Sequence, residues 1–121
     1  TDEGLVIEIF ALEGTPLFEG TSDRPTPLLR SLALMISDTA QTVENGIAIG
    51  GHVPAEPIVR AENLTWQTSA NQATAMRKLI EAAGIAPAQI KRVTGHADRE
   101  PITRNPMALR NNRLEIVLLR E

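Results

Sequence analysis

An α/β (α+β) sandwich, a mixed sheet with its helices on one face, is the fold this sequence predicts, and three observations predict it. Four short runs rich in aliphatic and β-branched residues, Leu5–Phe10, Ile47–Val53, Ile90–Ala97 and Leu114–Leu119, read as strands. Two segments between them place apolar residues at three- and four-residue spacing, the pattern of helices buried along one side. The resulting order, β-α-β-α-β-loop-β, has two helices crossing between strands, which favours a mixed sheet covered on one face. A chain of 121 residues, 42% of them apolar, suffices for one core, so a single domain spanning 1–121 is expected.

Taken in order, Leu5–Phe10 forms the first strand, and Glu13-Gly14-Thr15-Pro16 opens an ordered loop after it. Between Pro25 and Val43, the residues Leu28, Leu29, Leu32, Met35, Ile36 and Val43 fall on one side of a helix, with Pro27 in the first turn, where a missing N–H costs little. After Asn45-Gly46, the run Ile47–Val53 reads as a central strand that delivers His52 to a surface loop over residues 54–68. Pro54 and Pro57 restrict that loop, and Trp66 is the large aromatic able to anchor it. Ser69 suits the N-cap of a second helix. Ala73, Met76, Leu79, Ile80 and Ala83 then repeat at helical spacing, and Gly84 sits at its C-terminal end. A third strand, a loop over Pro101–Leu109 with at most one helical turn, and a buried final strand complete the chain.

Composition removes several functions. The net charge of −3 comes from 12 basic and 15 acidic residues dispersed along the chain, so no basic stripe recommends nucleic acid as a partner. The absence of cysteine removes disulfides, thiolate catalysis and thiolate-ligated metals together. The two histidines, His52 and His96, lack ligand spacing, so neither a metal site nor any cofactor is expected. No nucleophile elbow, phosphate loop or catalytic carboxylate pair is present, and no catalytic residue is assigned. The longest apolar stretch, Leu28–Ile36, is broken by Arg30 and Ser31 and is too short to span a bilayer, and Thr1 opens no signal peptide. If the protein is exported or membrane-tethered, these residues are a mature portion or a fragment of it.

The motif-bearing stretch runs from Ile47 to Ala73. It contains Gly51-His52-Val53-Pro54 at a strand end and Thr65-Trp66-Gln67-Thr68-Ser69-Ala70-Asn71-Gln72-Ala73 at a helix start. These segments resemble the core of the OmpA-like peptidoglycan-binding domain in its MotB type, where the strand end reads Gly-His-Thr-Asp and the helix opens Asn-Trp-Glu-Leu-Ser with Arg-Ala three residues on. Thr1–Leu5, Pro16-Leu17-Phe18 and Asn111-Asn112-Arg113-Leu114-Glu115-Ile116 resemble the opening and final strand of the same family, so the likeness covers almost the whole chain.

The resemblance implies a noncatalytic periplasmic domain that anchors a flagellar stator to peptidoglycan. It further implies a homodimer, a MotA-type channel subunit as partner, and an inner-membrane anchor through an N-terminal helix absent from these residues. It places the ligand positions at His52, Val53, Pro54, Thr65, Trp66 and Gln72. In the family an Asp and an Arg grip the zwitterionic end of diaminopimelate. Here those positions hold Pro54, which offers only a carbonyl, and Gln72, which offers a neutral amide. Losing two hydrogen bonds to charged groups costs about 3–6 kcal/mol, roughly two to four decades of affinity. A weakened diaminopimelate site is therefore expected, with Asn71 and Arg113 as substitute contacts. The alternative is the same fold without wall binding, serving dimerisation or protein docking.

Simpler roles stand beside these. His52 is read first as a strand-end residue hydrogen-bonded to backbone, and the Gly95-His96-Ala97-Asp98 stretch as a surface turn. Arg110 and Arg113 are read as structural partners of carboxylates near the last strand.

Overall fold

The computed structural model of the protein describes residues 4–11, 14–20, 22–53, 65–96 and 112–120. The elements are β1 (Gly4–Phe10), α1 (Pro27–Ala40), β2 (Ile47–His52), α2 (Thr65–Ala82), a 3-10 turn (Pro87–Gln89), β3 (Ile90–Gly95) and β4 (Arg113–Leu119). The expected order holds, and the sheet is mixed, with strands arranged β1-β4-β2-β3. β4 runs antiparallel to both β1 and β2, while β2 and β3, joined through α2, are parallel. The loop segment Pro101–Leu109 and the ligand position Pro54 lie outside the described residues.

The side-chain period of two sorts each strand between two environments. Ile9 of β1, Ile47 and Ile49 of β2, and Leu114 and Ile116 of β4 enter one core with Leu29 and Ala33 of α1 and Ala73, Met76 and Ile80 of α2. The other face carries Glu8, Phe10, Ala48, Gly50, His52, Arg113, Glu115 and Val117, as the cross-strand registers Glu8↔Glu115, Phe10↔Arg113, Gly50↔Glu115 and His52↔Arg113 require. Near their C-terminal ends β2 and β3 approach α2 very closely. A Cβ on Gly51 would stand 2.3 Å from the Ser69 carbonyl oxygen, and one on Gly95 would stand 2.5 Å from the Ala70 nitrogen. Only glycine allows a helix to lie on the sheet at that separation.

Two expectations about the helices need correction. The buried stripe of α1 is Leu29, Ala33, Ser37 and Ala40, whereas Leu28 and Met35 are exposed, at 42% and 65%, and Val43 is exposed beyond the helix end. Small residues face inward because they let α1 pack closely, and the larger Leu32 and Ile36 flank that stripe. α2 begins at Thr65, so Ser69 lies inside the helix and is buried, its hydroxyl donating to the Trp66 carbonyl at 3.1 Å. The helix ends as expected just before Gly84, with the Ile85 N–H donating to the Ile80 carbonyl at 3.1 Å.

Thr26 caps α1. Its hydroxyl oxygen accepts from the Leu29 N–H at 3.4 Å and donates to the Pro16 carbonyl at 2.8 Å, tying the preceding loop to the helix start, with Pro27 in the first turn. Thr26→Ala is expected to lower unfolding free energy by about 1 kcal/mol, read as a shift in urea midpoint at unchanged slope.

Candidate functional site

Strand β2 delivers His52 to the open face of the sheet, yet the side chain is only 1% exposed. Its Nε2 lies 2.6 Å from Oε1 of Glu115 on β4, although neither ring nitrogen has a well-aligned hydrogen bond. Beyond it, Nη2 of Arg113 stands 3.5 Å from the same carboxylate oxygen, and Nε of Arg113 stands 3.8 Å from Oε2 of Glu8 on β1. On the other side the His96 ring stacks on the His52 ring, with centroids 4.4 Å apart and planes within 6°. Gly50 makes room for this: a Cβ there would stand 3.1 Å from Nε2 of His96. The His96 N–H donates to the Gly51 carbonyl at 2.8 Å, carrying the β2–β3 pairing one residue past the strand. A chain of polar groups thus crosses all four strands, from His96 beside β3 through His52 and Glu115 to Arg113 and Glu8.

Burial takes the His52 imidazole from 6.5 down to about 3, and the positive charge of Arg113 and the neighbouring His96 ring push in the same direction. His52 is therefore neutral at physiological pH. Because the unfolded chain keeps the ordinary value, it binds the proton more readily throughout the interval between about 6.5 and 3. The stability His52 contributes is full above pH 6.5 and is lost as pH falls through that interval, at up to about 1.4 kcal/mol per pH unit. Urea unfolding of the native chain between about pH 7 and pH 5 should show this slope, and His52→Gln should flatten it.

The structure brings some of the expected residues together and separates others. His52 and Arg113 are cross-strand neighbours, and Val53 is buried directly after β2. Thr65 opens α2. Trp66, 48% exposed, sits in the first turn of that helix, a correction to its reading as the anchor of a loop. Gln72 is 3% exposed, and its Nε2 donates to the Ser22 carbonyl at 3.1 Å, so this amide fastens the loop before α1 onto α2. Asn71 points elsewhere, into a cleft of about 350 Å³ that it shares with Asp23, Thr74 and Lys78.

Two further corrections concern the histidines. His52 meets a carboxylate rather than backbone, and His96, read as part of a surface turn, is a member of the same cluster. The signal for this was in the sequence. Gly51-His52 and Gly95-His96 share a register across parallel strands, Gly51 opposite Gly95, which brings the following histidines side by side. Arg113 does engage carboxylates, as its structural reading expected. Among the described residues no group of three or more His, Asp or Glu side chains is arranged to hold a metal ion, and no helix is long and apolar enough to cross a membrane.

The architecture is that of the OmpA-like fold, in the form taken by MotB periplasmic domains. The periplasmic domain of Helicobacter pylori MotB superposes on 100% of this chain and 79% of that one, with a TM-score of 0.82 and 22% identity. The cell wall anchor of the T6SS from Pseudomonas aeruginosa matches 96% of this chain and 81% of its own, with a TM-score of 0.75 and 25% identity. In sequence, motility protein B of Escherichia coli K12 is 28% identical over 120 residues, 97% of this chain and 39% of that protein. The chain spans between 38% and 56% of the length of the curated relatives it matches. No family model matches the sequence.

Proposed function

We propose that this chain is a noncatalytic, periplasmic, MotB-like domain that anchors a flagellar stator to peptidoglycan through a diaminopimelate site altered at Pro54 and Gln72. The observation that carries this reading is the likeness to MotB periplasmic domains over the whole chain, joined to the sequence match with motility protein B. A structural neighbour described as a cell wall anchor points the same way. On this reading the family's ligand positions are His52, Val53, Pro54, Thr65, Trp66 and Gln72, with Asn71 and Arg113 as substitute contacts. The full protein is a homodimer held in the inner membrane by an N-terminal helix, and it works with a MotA-type channel subunit.

One observation favours the second reading, a docking or dimerisation module that has given up the wall. Gln72 is buried and already donates to the Ser22 carbonyl, so the residue at the family's carboxylate-gripping position is engaged within the domain. Co-sedimentation with isolated diaminopimelate-type peptidoglycan decides between the two. Anchoring predicts that the domain pellets with the wall. A domain that stays in the supernatant overturns anchoring and leaves the docking module.

A further inference from the structure

We propose that the stacked pair His52–His96 is an acid-sensitive clasp that holds the C-terminal ends of β2 and β3 together and opens locally when the rings take up protons. This is independent of what the domain binds. The clasp stands on geometry. The two rings lie face to face at 4.4 Å, one on β2 and the other just past β3, and the last backbone bond between these strands is the one from the His96 N–H to Gly51. His96 is half-buried and borders a cleft of about 180 Å³ with Gly50, Arg92, Thr94 and Glu115, so it has space to swing out, whereas His52 is enclosed.

Among the described residues, the charged groups facing the pair are Arg92 of β3, Arg113 and Glu115 of β4, and Glu8 of β1. With both imidazoles neutral, two cations face two carboxylates. Among these described charges, each proton taken up by the stack adds a net positive charge, and Glu115, the carboxylate 2.6 Å from Nε2 of His52, is already shared with Arg113. Two imidazolium rings held parallel at this separation repel, in a site where burial weakens the screening by water. Release of His96 relieves the repulsion and breaks the terminal β2–β3 contact. His52 is then uncovered and charges more readily. The strands end at the clasp, with Val53 and His96 the residues that follow β2 and β3.

The test is residue-resolved amide exchange of the native chain with parallel NMR titration of both imidazoles, from about pH 7 down to about pH 5. The expected result is a fall in the protection factors of Gly51, His52 and His96 that exceeds by about tenfold or more the fall that the loss of global stability imposes on Ile9, Ile49 and Ile116. The His52 ring signals should shift only together with that loss of protection. In His96→Phe, which keeps a stacking ring and cannot take a proton, protection at the strand ends should fall with acid no further than that of the core residues. The clasp is overturned if native protection at Gly51 and His96 is unchanged across the range, or if it falls equally throughout the sheet. It is also overturned if His52 titrates while the strand ends stay protected, or if His96→Phe loses protection with acid as the native chain does.

Discussion

Pro54→Asp combined with Gln72→Arg should raise affinity for diaminopimelate-type peptidoglycan by roughly two to four decades. The estimate follows from two hydrogen bonds to charged groups at about 1.5–3 kcal/mol each. An aspartate at 54 would accept from the ammonium of the stem peptide, and a guanidinium at 72 would offer a bidentate fork to its carboxylate. The exchange at 72 has a structural cost, because Gln72 now donates to the Ser22 carbonyl. An arginine has five N–H donors, so one can keep that carbonyl satisfied while others turn outward, and the loss of fold stability should stay near about 1 kcal/mol. The measurement is co-sedimentation across a wall titration, with each single substitution beside the pair. If the native chain pellets and the pair pellets at far lower wall concentration, the altered site is a weakened anchor. If only the pair pellets, the pocket has kept its shape and lost its chemistry, and the docking reading stands. If the pair gains nothing, the assignment of residues 54 and 72 to a stem-peptide pocket fails.

Gly51→Ala is expected to be strongly destabilising, because it adds a methyl group on the sheet's helix-facing side where α2 lies against β2. The new carbon would lie 2.3 Å from the Ser69 carbonyl oxygen, and backbone cannot rotate away as a flexible side chain could. α2 must lift from β2 by about 1 Å, which opens gaps around Ala73 and Met76, both fully buried. Overpacking of this kind costs about 3 kcal/mol, which for a domain of this size is a fall in Tm of roughly 10–15 °C. Thermal unfolding checks it, with Gly14→Ala as a comparison in which the added carbon meets nothing within 4 Å. That site has a positive φ of 79° and so shows the backbone penalty without the collision. Equal losses at the two positions would refute the close-approach account.

The strands were legible because runs such as Ile47–Ile49 and Ile116–Leu119 are short, aliphatic and β-branched. The faces of the helices were less so. Large apolar residues drew the inward side of α1 toward Leu28 and Met35, but close packing selected Ala33, Ser37 and Ala40 instead. Hydrophobicity alone does not encode interhelical distance. Ser69, a good N-cap by type, predicts a helix start five residues too late, and nothing local tells that its hydroxyl is spent on the Trp66 carbonyl inside the helix. At the candidate site, His52 and Arg113 were recognised singly, while their joint arrangement with Glu115 and His96 depends on strand register. Register follows from pairing across long stretches of chain. The matching Gly-His ends of β2 and β3 were its one local trace.

The registers also fix how the domain would carry a load. β1 starts at Gly4, opposite Leu119, and Leu118 lies opposite Ile47, so one end of the sheet gathers the start of β1, the end of β4 and the start of β2. Phe10, Arg113, His52 and Gly95 gather at the other end. A pull applied at Gly4 and resisted near His52 therefore runs along the strands. It tries to slide β1 lengthwise past β4, so the ladder from Gly4 to Phe10 has to yield together rather than peel open one pair at a time. The first and last strands, far apart in sequence, form the tensile seam of the domain, and its mechanical lifetime would be set by how fast that whole seam ruptures.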